Sequence, residues 1–127
     1  MDINKIQEEI FSLIPDALAE IQEDFNFKEN LAIEIKIGEN IIDNNYSNDI
    51  DLEVQVTGLL ENKFNIQAKA LELDKKLDNY KFINVFARII HENVWYSSFK
   101  DKEKFTSVLM YKIRRDRKST RLNSSHN

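Results

Sequence analysis

The chain has 127 residues and a mass of 15.0 kDa, which is the size of one domain. It carries a formal charge of −4, contains no cysteine and is 42% apolar, a share that separates it from disordered chains. Disulfides, thiolate metal sites and cysteine nucleophiles are therefore excluded. No apolar run reaches the roughly 18 residues of a membrane span, and Met1–Glu9 lacks the basic start and apolar core of a secretory leader. The expectation is a cytoplasmic domain that engages no membrane.

Ile3, Ile6, Ile10, Leu13 and Ile14 recur at spacings of three and four, with Gln7, Glu8 and Glu9 between them, and this predicts an amphipathic helix capped by Asp2. Pro15 interrupts it, but Ala17, Leu18 and Ile21 resume the stripe, so a kink or a second short helix is expected. Leu31, Ile33, Ile35 and Ile37 alternate with polar residues and predict a half-buried strand ending at Gly38. Ile50, Leu52, Val54 and Val56 predict a second strand. Phe64, Ile66, Ala68 and Ala70 predict a third, joined to the second as a hairpin through Thr57–Lys63.

Asp74–Asn79 reads as a charged loop in which Asp78 or Asn79 caps the next element. Phe82, Phe86, Ile89, Ile90 and Val94 then suit a helix over Tyr80–Ser98, despite the rotamer cost of its β-branched and aromatic residues. Lys100–Lys104 is a charged turn before a strand at Phe105–Ile113. The order is α-β-β-β-α-β. It predicts an α+β fold, with an antiparallel sheet of about four strands and the helices on one face. The last strand is expected to end as an unpaired edge.

Asp116–His126 reads DRKSTRLNSSH and resembles the translation of an adapter used in short-read DNA sequencing. Residues 116–127 are accordingly expected to be a non-native, disordered tail, with a single domain over residues 1–115 that is incomplete at its C-terminus. Arg117, Lys118 and Arg121 against Asp116 contribute +2, so without the tail the charge of −4 becomes −6. His91 is then the sole native histidine, because His126 falls in the tail.

Few residues suggest chemistry. Asp43, Asn45, Ser47, Asp49 and Asp51 place an oxygen-bearing side chain at every second position, as calcium loops do. However, Asn48 stands where the turn wants Gly and Val54 where a bidentate Glu is needed, so no metal is assigned. His91 has Glu92 and Ser97 near it in sequence, but no nucleophile motif accompanies it, and a boundary position on the helix is expected. The acid pairs Glu8/Glu9 and Glu23/Asp24 are what an acidic composition produces anyway. Glycine-rich phosphate loops are absent, no cofactor is implied, and a charge of −6 disfavours nucleic acid. What remains is the outer face of the second strand, where Asp49, Asp51 and Glu53 could meet a basic protein, and the cluster Trp95, Tyr96 and Phe99.

Short stretches resemble the YezG-like immunity (antitoxin) proteins of bacteria. They are Ile14-Pro15 closing the first helix, Lys63-Phe64-Asn65-Ile66 entering a hairpin strand, and Phe105-Thr106-Ser107-Val108-Leu109, here in the reverse of the family's order for the last two. The resemblance implies a protein that neutralises a co-encoded toxin, often a nuclease. The expected function is thus a non-catalytic protein-binding domain of immunity type, with Asp49, Asp51 and Glu53 as its contact residues. A structural or assembly subunit that associates with copies of itself is the alternative, and the oligomeric state stays open.

Overall fold

The computed structural model describes residues 3–38 and 49–115. The chain is α+β: helix α1 (Ile3–Leu13), strands β1 (Ala32–Ile37) and β2 (Ile50–Leu59), helix α2 (Lys63–Leu77), then strands β3 (Ala87–Asp101) and β4 (Lys104–Arg115). The four strands make one antiparallel sheet in the order β1-β2-β4-β3. Strands β1 and β2 fall where alternation puts them, β4 covers the strand expected at Phe105–Ile113, and the turn between β3 and β4 lies within Lys100–Lys104. The tail expected at 116–127 and the Asp2 cap lie outside the described residues.

Alternation sorts each strand into two faces. Ile33 and Ile35, Ile50 to Val56 at every second position, and Leu109, Tyr111 and Ile113 share one side and are all at most 3% exposed. Ile6, Ile10 and Ile14 from α1 and Ile66, Ala70, Leu73 and Leu77 from α2 close the same core, so both helices lie on that face.

Three expected elements are corrected. The segment Phe64–Ala70 is the first half of α2, not a strand. The pair Ile66/Ala70 satisfies helical spacing as well as alternation, and Leu73 and Leu77 continue the helical series. Phe64 and Ala68, the other apolar members of the alternating set, are exposed. Hence no hairpin joins β2 to this segment, and the Lys63–Ile66 motif begins a helix. Near the end of β2 a Cβ added at Gly58 would stand 2.7 Å from Leu31 Cδ2 and 3.0 Å from Ile66 Cδ1, so those side chains would have to shift.

The helix expected over Tyr80–Ser98 is the strand β3 preceded by a short return. Its β-branched and aromatic residues follow strand preference, with Ala87 and Ile89 buried and Phe86 and Val94 exposed. Asp78 and Asn79, expected to open a helix, close α2 instead. The Asp78 N–H donates to Asp74 O at 2.8 Å, and Asn79 has φ 64°, the left-handed residue that commonly ends a helix.

No second helix follows Pro15. Ile14 N–H makes the last helical bond to Ile10 O, and Pro15 has no N–H to continue. Leu18 instead bridges β1, donating to Ile33 O and accepting from Ile35 N–H, which covers part of that sheet edge. The last strand is not an edge either, because β4 is paired on both sides.

One polar anchor ties α1 to the return before β3. Glu9 is buried, and its carboxylate accepts from Tyr80 OH (2.6 Å), Ile83 N–H (2.7 Å), and the backbone N–H and side-chain amide of Asn84 (both 3.1 Å). Burial alone raises its pKa, but the four donors outweigh burial and hold it below 4.5. Tyr80, buried and bonded to that carboxylate, is pushed up to about 12.

Two predictions follow from these elements. Replacing exposed Ala68 with Gly costs about 1 kcal/mol and with Pro about 3 kcal/mol or more in urea unfolding, because the site is a helix interior. Glu9→Gln costs about 2–3 kcal/mol, because a donor amide then faces fixed backbone donors. Glu9 has a lowered folded pKa, so its contribution is complete above pH 4.5 and is lost as pH falls through the lower folded value. The variant removes that portion of the acid dependence of the urea midpoint.

Candidate functional site

Asp49, Asp51 and Glu53 sit where the second strand predicted, immediately before and along the outward face of β2. The register sets a basic row of β4 beside them. Lys112 Nζ donates to Asp51 Oδ1 at 2.7 Å and lies 3.6 Å from Glu92 of β3, and Arg114 reaches Asp49 at 3.3 Å. Glu53 accepts from Gln55 Nε2 on its own strand. The hydrogen bond from Lys112 to Asp51 raises its pKa most; burial opposes this, and the charges of Asp51 and Glu92 add to it. The outward face is thus a mixed ladder of charges across β2, β4 and β3, not a uniform acidic field. Of the alternating Asp43–Asp51 set, Asp43, Asn45 and Ser47 lie outside the described residues.

The inward side of β3 holds a second cluster. Pairing advances from His91 to Tyr96 on β3 while β4 advances only from Tyr111 to Leu109, so the intervening β3 residues bulge out of register. At this bulge His91 stacks on Trp95, with ring centres 4.3 Å apart and planes 14° from parallel, and lies 5.5 Å from the Tyr111 ring. Its Nε2 is 2.7 Å from Asp74 Oδ1, an atom that also accepts from Tyr111 OH at 2.7 Å. Its Nδ1 is 3.6 Å from Asp78 Oδ1. Burial raises the pKa of the Tyr111 hydroxyl strongly, the hydrogen bond to Asp74 adds to this, and it stays protonated as a donor.

Sequence spacing did not reveal this convergence, because it needs α2 to run to Leu77 and His91 to be on a strand. The signal available was Asp74 and Asp78 four apart, which share a face once the segment is helical. His91 therefore meets two aspartates from α2, whereas Glu92 turns to Lys112 and Tyr96 OH pairs with Ser107 Oγ at 3.1 Å.

Of the aromatic cluster, Trp95 and Tyr96 are half-buried and Phe99 is 49% exposed. Val94, at 71%, is also exposed on β3. The return Tyr80–Phe82 hydrogen-bonds to the start of β3 through Asn79 N–H to Ile89 O, Ile89 N–H to Tyr80 O and Phe82 N–H to Ala87 O. Among the described residues no strand pairs with the outer edge of β3 beyond Ile89. Of the pair Glu8/Glu9, Glu8 is exposed, whereas Glu9 accepts from four donors in the cleft it lines with Ser12, Leu13 and Ile83.

The Asp51–Lys112 pair is partly exposed, so a double-mutant cycle with Asp51→Asn and Lys112→Gln should give a coupling of about 1 kcal/mol or less in urea unfolding. The raised Lys112 pKa makes that coupling complete below pH 10.5, with loss as pH climbs through the folded value. No helix of the described residues is long and apolar enough to cross a membrane. Compared with protein-family models, with curated proteins and with solved structures, the chain has no match.

Proposed function

We propose that this chain is a non-catalytic, cytoplasmic protein-binding domain that takes a basic protein partner, and that it acts as an immunity protein neutralising a co-encoded toxin. The observation that carries the reading is the outer edge of β3 beyond Ile89. It is unpaired among the described residues and bears the exposed Val94 and Phe99. An open strand edge offers backbone donors and acceptors to an extended segment of a partner, and apolar side chains beside it supply affinity. The charge of −6 over residues 1–115 speeds encounter with a basic surface and selects for it. Asp49, Asp51 and Glu53 belong to this acidic surface as contributors to steering, the charges of Asp51 and Asp49 being shared with Lys112 and Arg114. The resemblance to immunity proteins points the same way.

The second reading is an assembly subunit. The same edge favours it, because antiparallel pairing of β3 with β3 of another copy would satisfy both edges at once.

The test is co-expression with the product of the adjacent gene, followed by purification at low and high salt. The expected result is a one-to-one complex weakened by salt, with Val94→Lys and Phe99→Lys each lowering affinity about 30-fold, as for interface anchors, while leaving the thermal midpoint within a few degrees. Absence of a complex, together with mass that grows with concentration and is abolished by the same two substitutions, would transfer the assignment to the assembly subunit.

A further inference from the structure

We infer that His91 Nδ1 and Asp78 hold a divalent transition-metal ion, with zinc as the best-suited occupant and Asp74 as the carboxylate that orients the histidine. The three side chains come from two rigid elements. Asp74 lies in the last turn of α2 with Asp78 at its C-cap, and His91 lies on β3 where the bulge begins. One oxygen or nitrogen atom from each lies within 4.8 Å of the others.

The roles of the two ring nitrogens follow from their neighbours. A carboxylate can only accept, so Nε2 carries the proton that it shares with Asp74 Oδ1 at 2.7 Å. This leaves Nδ1 facing Asp78 Oδ1 across 3.6 Å, beyond hydrogen-bond reach. Both atoms carry electron pairs that a cation can accept. Tetrahedral ligands about 2.0–2.1 Å from zinc stand roughly 3.4 Å apart, so a small side-chain rotation seats an ion on both. A histidine whose second N–H is held by a carboxylate is the usual arrangement around zinc, and here Asp74 supplies it.

The site is also built in advance. Trp95 stacks on one side of the imidazole, and Tyr111 OH fixes the Asp74 oxygen. An imidazole in the set favours zinc and its neighbours over calcium or magnesium, which want oxygen alone. The three side chains are 16–33% exposed, so water can complete the coordination sphere.

The experiment is calorimetric titration of metal-free full-length chain with zinc, joined to nitrogen-15 spectra of the His91 ring. Expected are one zinc ion per chain, a shift of the Nδ1 resonance with Nε2 still protonated, and no response to calcium at this ring. Asp78→Asn should weaken zinc binding by at least about tenfold, and Asp74→Asn by about 10–100-fold, the usual range for a carboxylate supporting a ligating histidine. Asp78 is partly exposed at a helix end and its backbone makes the cap bond, so its variant keeps the fold even if Asp74→Asn, which also releases Tyr111, does not. An unmoved His91 resonance, or zinc binding equally tight in Asp78→Asn, would overturn the proposal.

Discussion

The placement of β4 is the constraint on which this fold depends. Strands β2 and β3 both run antiparallel to β4, so they are parallel to one another and separated by the width of one strand. The connection between them through α2 spans that slot, and β4 fills it. Leu109, Tyr111 and Ile113 then occupy the middle of the core and are fully buried, with α2 lying across β2 and β4 above them. The insertion also builds both polar constellations. It sets Lys112 beside Asp51, and Tyr111 between Asp74 and His91.

Much of this was legible in the order of residues. A β-prone run after a charged turn located β4, and one-sided alternation located β1 and β2, because a sheet with helices on one face forces apolar and polar residues to take turns. The same rule failed over Phe64–Ala70, where Ile66 and Ala70 obey both periods and only Leu73 and Leu77, further on, choose between them. It failed in the opposite sense over Phe82–Val94, where spacings of three and four arose in a segment whose branched and aromatic side chains prefer a strand. These two errors exchanged an element for its opposite while preserving the class of fold. They also hid the His91 cluster, which exists only when α2 and β3 are both in their true states.

The acids of β2 illustrate how a face can be identified and its electrostatics misjudged. Asp49, Asp51 and Glu53 point where alternation puts them, but their field is set by the strand that pairs next door. That strand is separated from them by some sixty residues of sequence, and its Lys112 and Arg114 were not visible as their neighbours. The proposed recognition consequently rests less on the acids alone than on the β3 edge, where the backbone itself is available and the side chains Val94 and Phe99 are exposed.

The nest around Glu9 has a further, kinetic consequence. Its donors lie 71 to 75 residues down the chain, and the Thr57–Thr106 and Asp51–Lys112 contacts span 49 and 61. Such long separations place the domain among slow folders, on the millisecond-to-second scale. At a synthesis rate of roughly 5–20 residues per second, α1 emerges several seconds before Tyr80 and Asn84 exist. Throughout that interval its one buried carboxylate has no partner, so the first helix to be made is not fully anchored until the return before β3 exists.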